Sequence, residues 1–149
     1  MKNLYSPSML KSYLSCKYTI FNEVNEKKLN LKKIELSKND QLRLEKGNIH
    51  EKEYLKELKK KYKKVIDLKN SKLSKEEKVP KTIQAMKEGW EVIHGGYLKR
   101  DNWRGEFDFL IINKDLKSKF GDYSYEVIDT KNSNKPKPDH IIQLGMYTY

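Results

Sequence analysis

Two stretches decide the fold: Gly105-Glu106-Phe107-Asp108-Phe109-Leu110-Ile111-Ile112 and, after a polar loop, Tyr125-Glu126-Val127-Ile128-Asp129-Thr130-Lys131. Both are dense in β-branched and aromatic residues and are bounded by turn formers, the pattern of strands. Each carries a carboxylate where an apolar residue would cost less. Phe107 and Phe109 flank Asp108, and Val127-Ile128 run straight into Asp129. A buried ionised carboxylate is expensive unless a cation or hydrogen bonds compensate it, so two of them at the ends of neighbouring strands suggest a bound metal ion. A third stretch, Ile141-Ile142-Gln143-Leu144-Gly145-Met146-Tyr147, reads as a helix whose Gln143 and Tyr147, four apart, share a face.

Asp129 and Lys131 are two apart, which on a strand puts both side chains on one face. A carboxylate and an ammonium in one cleft can hold a divalent metal and position an attacking water. Asp108, then Asp129-Thr130-Lys131, then Gln143-x-x-x-Tyr147, with His50 on an upstream helix, resembles the PD-(D/E)XK nuclease signature in its RecB-type form. The resemblance covers roughly residues 45–149, with a weaker echo at the N-terminus. Phe107 stands where the signature's name puts proline, a position that varies freely.

The resemblance implies an α/β fold, a mixed sheet flanked by helices in α-β-β-β-α-β order. The chain supplies a restriction-endonuclease-like α-β-β-β-α core and extra N-terminal helices, and the last core strand is missing. The expected organisation is one nuclease domain over residues 1–149, with a helical segment at 1–38 and the core at 39–149. The chain stops at Tyr147-Thr148-Tyr149 inside a helix with no C-cap signal, so a fragment of a longer protein is expected. The resemblance also implies a deoxyribonuclease of exonuclease type. Asp108 and Asp129 are the expected metal ligands, with His50 a third and the Thr130 carbonyl a further one. Lys131 is expected to act on water or phosphate, and Gln143 and Tyr147 to border the site. Carboxylate oxygens suit Mg²⁺ or Mn²⁺.

Outward from this core, Ser6-Pro7-Ser8 is a helix start, followed by the apolar face Met9, Leu10, Tyr13 and Leu14. Residues 25–38 read as a loop or an irregular extended piece. A long helix is expected from about Asp40 to Val65, with Tyr54, Leu55, Leu58, Tyr62 and Val65 inward and His50 at the margin of that stripe. Gly47 leaves room beside His50. Val79-Pro80 marks a break, and Thr82 to Glu88 is a short helix ending at Gly89. The first strand is expected over Trp90 to Leu98 with Gly95-Gly96 as a bulge or close backbone approach, and the second over Arg104 to Ile112. Asn113 to Asp122 is a hairpin loop. Asn132 to Pro138 is a loop bearing Lys135 and Lys137, expected to contact phosphates, and Asp139 is a plausible N-cap for the last helix.

The chain has 149 residues, 36% of them apolar and 36% charged, enough for one domain with a lean core. No apolar run approaches a membrane span and no signal-peptide pattern opens the chain, which points to a cytoplasmic protein without a membrane partner. A net charge of +11 favours a polyanionic partner, DNA as single strands or duplex ends. Lysine, asparagine and isoleucine enrichment also fits an AT-rich genome whatever the function. Cys16 is the only cysteine, so no internal disulfide is possible. Leu10-x-x-Tyr13-x-x-Cys16 resembles the segment that carries the first cysteine of an iron–sulfur cluster in some RecB-type nucleases, including the CRISPR adaptation nucleases. Such a cluster needs further cysteines beyond residue 149, and the alternative is a half-buried free thiol. Helicase and RNase H-like domains are known companions of the nuclease domains that the chain resembles.

Each site residue also has a plainer reading. His50 can be a surface or boundary histidine, Asp129 and Lys131 a surface ion pair, Asp108 a turn cap, Gln143 solvent-facing and Tyr147 core. Two rival functions follow: a catalytically weak descendant that binds nucleic acid, and a basic module for RNA or a protein partner. The intact Asp108, Asp129 and Lys131 argue against the first, and the second offers no reason for acids in apolar strands.

Overall fold

The structure is a computed structural model that describes residues 4–133 and 135–148. Five helices and six strands are found among the described residues. They run α1 Pro7–Ser15, α2 Lys17–Asn25, α3 Lys38–Lys61, β1 Val65–Asp67, α4 Lys75–Lys87, β2 Val92–His94, β3 Tyr97–Arg100, β4 Trp103–Glu106, β5 Phe109–Asn113, β6 Ser124–Ile128 and α5 Pro138–Thr148. Four strands form a mixed sheet in the order β1-β2-β5-β6, with only β1 and β2 parallel. β3 and β4 form a separate antiparallel pair. The architecture is thus mixed α/β. No helix among the described residues is long and apolar enough to cross a membrane.

The helix starts follow from capping chemistry. Ser6 accepts from the Met9 N–H at 3.2 Å, with Pro7 in the first turn of α1. Ser37 caps α3, whose first turn holds Asp40 and whose last turn holds Lys59, Lys60 and Lys61, matching the helix dipole at both ends. α3 stops at Lys61 and not at Val65, because Val65 to Asp67 pair with β2. That short strand was not expected.

α4 corrects a second expectation. It begins at Lys75, runs through Pro80 and does not break at Val79-Pro80. Ser74 and Glu77 form a reciprocal capping box, and Thr82, Ala85 and Met86 are buried. Cap and burial together outweigh the hydrogen bond that proline forfeits inside a helix.

The two long strands expected at Trp90–Leu98 and Arg104–Ile112 are each broken in two. Gly95, at φ +64°, turns the first from the main sheet into the small one. The break in the second falls at Phe107-Asp108. Gly95-Gly96 is a close approach: a Cβ at Gly95 would lie 2.6 Å from Lys69 Cα, and one at Gly96 would meet Phe107 and Thr82.

Each face of the main sheet packs an apolar cluster. Leu55 and Leu58 of α3 meet Val92 and Phe109 on one side. Ala85 and Met86 of α4 meet Leu68, Ile93, Phe107 and Leu110 on the other, with Tyr147 of α5 packed against them. Burying side chains of this size stabilises by about 1.5–3 kcal/mol each. Lys11 of α1 reaches Asp139 of α5 at 2.7 Å.

Candidate functional site

Register brings the chemistry to one end of the main sheet. Asp67 pairs with His94, His94 with Phe109 and Phe109 with Ile128, a single row across four strands. Asp108 precedes Phe109 and Asp129 follows Ile128. Because β5 and β6 are antiparallel, both acids leave the sheet at the same end.

The Asp108 carboxylate is held by its neighbour strand. Thr130 N–H and Thr130 Oγ1–H both donate to Asp108 Oδ2 at 2.8 Å. Asp129 is more deeply set, its side chain only 5% exposed. Lys131 Nζ pairs with Asp129 Oδ2 at 2.5 Å, and among the described residues this buried oxygen has no other polar partner. Burial pushes the Asp129 carboxyl above the usual aspartate range. Lys131 pulls it back in part, and the like charge of Asp108, close enough to interact directly, raises it again. The two carboxylates lie close enough to interact, and the cation that Asp129 Oδ2 meets in the structure is the Lys131 ammonium. The hard oxygens of the two acids match Mg²⁺ or Mn²⁺.

Tyr147 closes the other side. Its phenol donates to the Glu106 carbonyl at 2.5 Å and bears on Gly105, where a Cβ would meet the ring at 2.6 Å. Burial raises the Tyr147 hydroxyl above its ordinary value. The nearby Gln143 side chain opposes the rise, while Asp129, Asp108 and Glu106 add to it. Tyr147 therefore stands near the two acids, with Gln143 one turn before it on α5. Past Tyr147 lies a cleft of about 850 Å³. Lys87, Lys99, Arg104 and Lys119 border it, but most of its lining is apolar, and Asp108, Asp129 and Lys131 do not line it.

His50 does not join this group. It is exposed on α3 and forms no hydrogen bond or ion pair among the described residues. The expected margin position is corrected by the stripe itself: Glu51, Leu55 and Leu58 are the buried residues of α3, at spacings of four and three, and His50 is one step off it. Among the described residues no three His, Cys, Asp or Glu side chains converge as a metal-holding group. Thr130 reaches Asp108 through its N–H and hydroxyl. Lys135 and Lys137 are exposed ahead of α5. Cys16 is exposed between α1 and α2 rather than half-buried, and backbone hydrogen bonds from Tyr18 and Thr19 lower its thiol.

A second charged cluster lies on the α3 side of the same sheet end. His94 Nδ1 is 2.8 Å from Asp67 Oδ1, and His94 Nε2 is 2.8 Å from Glu51 Oε1. Lys69 Nζ pairs with Glu51 Oε2. Neither Glu51 nor His94 was singled out from the sequence. One signal was present: Glu51 sits four before Leu55 and seven before Leu58, an acid on the inward face of α3.

Comparisons with protein-family models, with curated proteins and with solved structures return no match.

Proposed function

We propose that the chain is a metal-dependent nuclease of the PD-(D/E)XK, RecB-like type that hydrolyses phosphodiester bonds in DNA. The observation that carries the reading is the buried Asp129 carboxylate, paired with Lys131 at 2.5 Å and close enough to Asp108 for the two acids to interact. Asp108 and Asp129 would hold the ion, and the Thr130 carbonyl is the further ligand implied by the resemblance. When bound, a hard divalent cation neutralises charge that develops on the phosphate and lowers the pKa of water.

The chain's own groups do the rest. Thr130 fixes the rotamer of Asp108 through two donors on one oxygen. Lys131, about a third exposed, carries its ammonium beside Asp129 and towards solvent, where it orients water or offsets phosphate charge. Tyr147 stands near the acids on the α5 side, one turn after Gln143. The cationic border of the cleft beside Tyr147 suits a polyanion.

The test is cleavage of labelled DNA with Mn²⁺ or Mg²⁺ and with chelator, on the parent chain and on Asp108→Asn. Metal-dependent cleavage that disappears in the variant supports the reading. Cleavage that survives either chelator or Asp108→Asn, or no cleavage by the parent with either ion, overturns it.

A further inference from the structure

We propose that His94 is a positioning residue for Asp108, locked between Glu51 and Asp67 so that the junction of β2 and β5 can present the carboxylate in one place. The inference rests on the reading of Asp108 as a metal-holding acid.

His94 is 2% exposed, at the last position of β2. A buried imidazole needs partners for its polar atoms, and here each ring nitrogen has a carboxylate oxygen at 2.8 Å. Both ring nitrogens are thus engaged, one on each side of the ring. Lys69 on the second Glu51 oxygen completes the cluster. Opposed bonds at both nitrogens fix the ring plane, and stacking on Phe109 adds a third constraint, with centroids 4.7 Å apart and planes 20° from parallel.

From this fixed ring the grip passes to both sides of Asp108. Phe109, the stacked partner, is the next residue along β5. Gly95, the residue after His94, donates its N–H to the Asp108 carbonyl at 2.8 Å. The Leu68 N–H donates to the His94 carbonyl at 2.8 Å, and Asp67 Oδ1 also accepts from the Lys69 and Asn70 N–H groups. The loop after β1 is thereby pressed over Gly95, where a side chain would collide with Lys69. Glu51, Asp67, His94 and Gly95 form one connected path from α3 to the Asp108 backbone.

Fold stability alone does not call for such a cluster. Well-packed apolar residues often replace buried ionic groups without loss. What they do not replace is direction: two opposed hydrogen bonds aim a ring, and through it the neighbouring backbone. Supports of this kind, behind the groups that hold a metal, typically change affinity or activity by roughly 10–100-fold when removed.

Amide hydrogen exchange on the full chain reads the inference without metal. The Gly95 N–H is bonded to the Asp108 carbonyl and the Thr130 N–H to its carboxylate, so both report where Asp108 stands. In His94→Gln, these two amides should exchange about tenfold faster relative to amides in the middle of the β5–β6 pair. Mn²⁺ affinity, read by the paramagnetic signal of the free ion, should fall roughly 10–100-fold. Should His94→Gln fail to fold, Glu51→Gln and Asp67→Asn each remove one of the two charged partners and should show the same selective loss to a smaller degree. Unchanged protection at Gly95 and Thr130, or a loss matched equally in the β5–β6 pair, overturns the proposal. A selective loss in a chain that binds no Mn²⁺ would leave the positioning intact and remove the metal reading instead.

Discussion

Asp129→Asn in the metal-free protein should raise stability at neutral pH. The Asp129 side chain is 5% exposed, one of its oxygens has no polar partner besides Lys131, and its neighbour Asp108 carries like charge. A buried acceptor left short of partners costs about 1–3 kcal/mol. The asparagine amide removes the charge at nearly constant volume and can donate towards Asp108. Lys131 loses its counter-ion, but it is about a third exposed, so that loss offsets the gain by only about 0–1 kcal/mol. The net gain is about 1–2 kcal/mol, or a melting temperature higher by about 2–8 °C for a chain of this size.

The pH dependence has a defined sign. The folded-state pKa of Asp129 is raised, so its contribution to stability is full below the unfolded value of about 3.9 and is lost as pH rises through the folded value. The advantage of the variant should therefore be present at neutral pH and shrink to nothing near about pH 3. Thermal melts in chelator, across that range, measure it. Adding Mn²⁺ should then stabilise the parent more than the variant, because the gain scales with affinity for the folded state. A variant that melts at or below the parent temperature at neutral pH refutes the account of a carboxylate that burial and Asp108 destabilise more than Lys131 stabilises it.

Lys131→Ala should keep the Mn²⁺-induced thermal shift while cleavage falls roughly 100- to 1000-fold, as single-turnover rates would show. Lys135→Ala and Lys137→Ala should each lower the slope of log affinity against log salt by about one if the lysines contact phosphates, measured by fluorescence anisotropy on labelled DNA. Gly95→Ala should destabilise by about 1–3 kcal/mol from the backbone conformation alone, and by more once the collision with Lys69 is added. Urea denaturation midpoints check this.

Much of the local structure was legible in the chain. The cap at Ser6, the inward stripe of Tyr54, Leu55 and Leu58, the hairpin loop before Ser124 and the helix after Pro138 are each set by residues close in sequence. The acids Asp108 and Asp129 stood out because a carboxylate among Phe, Val and Ile is costly wherever the chain goes. Pro80 misled, since proline's local penalty is outweighed by a cap six residues earlier and by burial two to six residues later. β1 was missed because three residues carry no periodic signal, and their strand state depends on pairing with β2, more than twenty residues away.

Which histidine enters the interior was a tertiary matter. His50 lay beside the expected stripe, and α3 turns its neighbour Glu51 inward instead. His94 looked like one polar residue at the end of a strand, and it becomes a link between Glu51, 43 positions before it, and Asp67, 27 before it. Composition and spacing show where a charge is expensive. Only sheet register and helix rotation decide which partner, distant in the chain, lies within 3 Å of it.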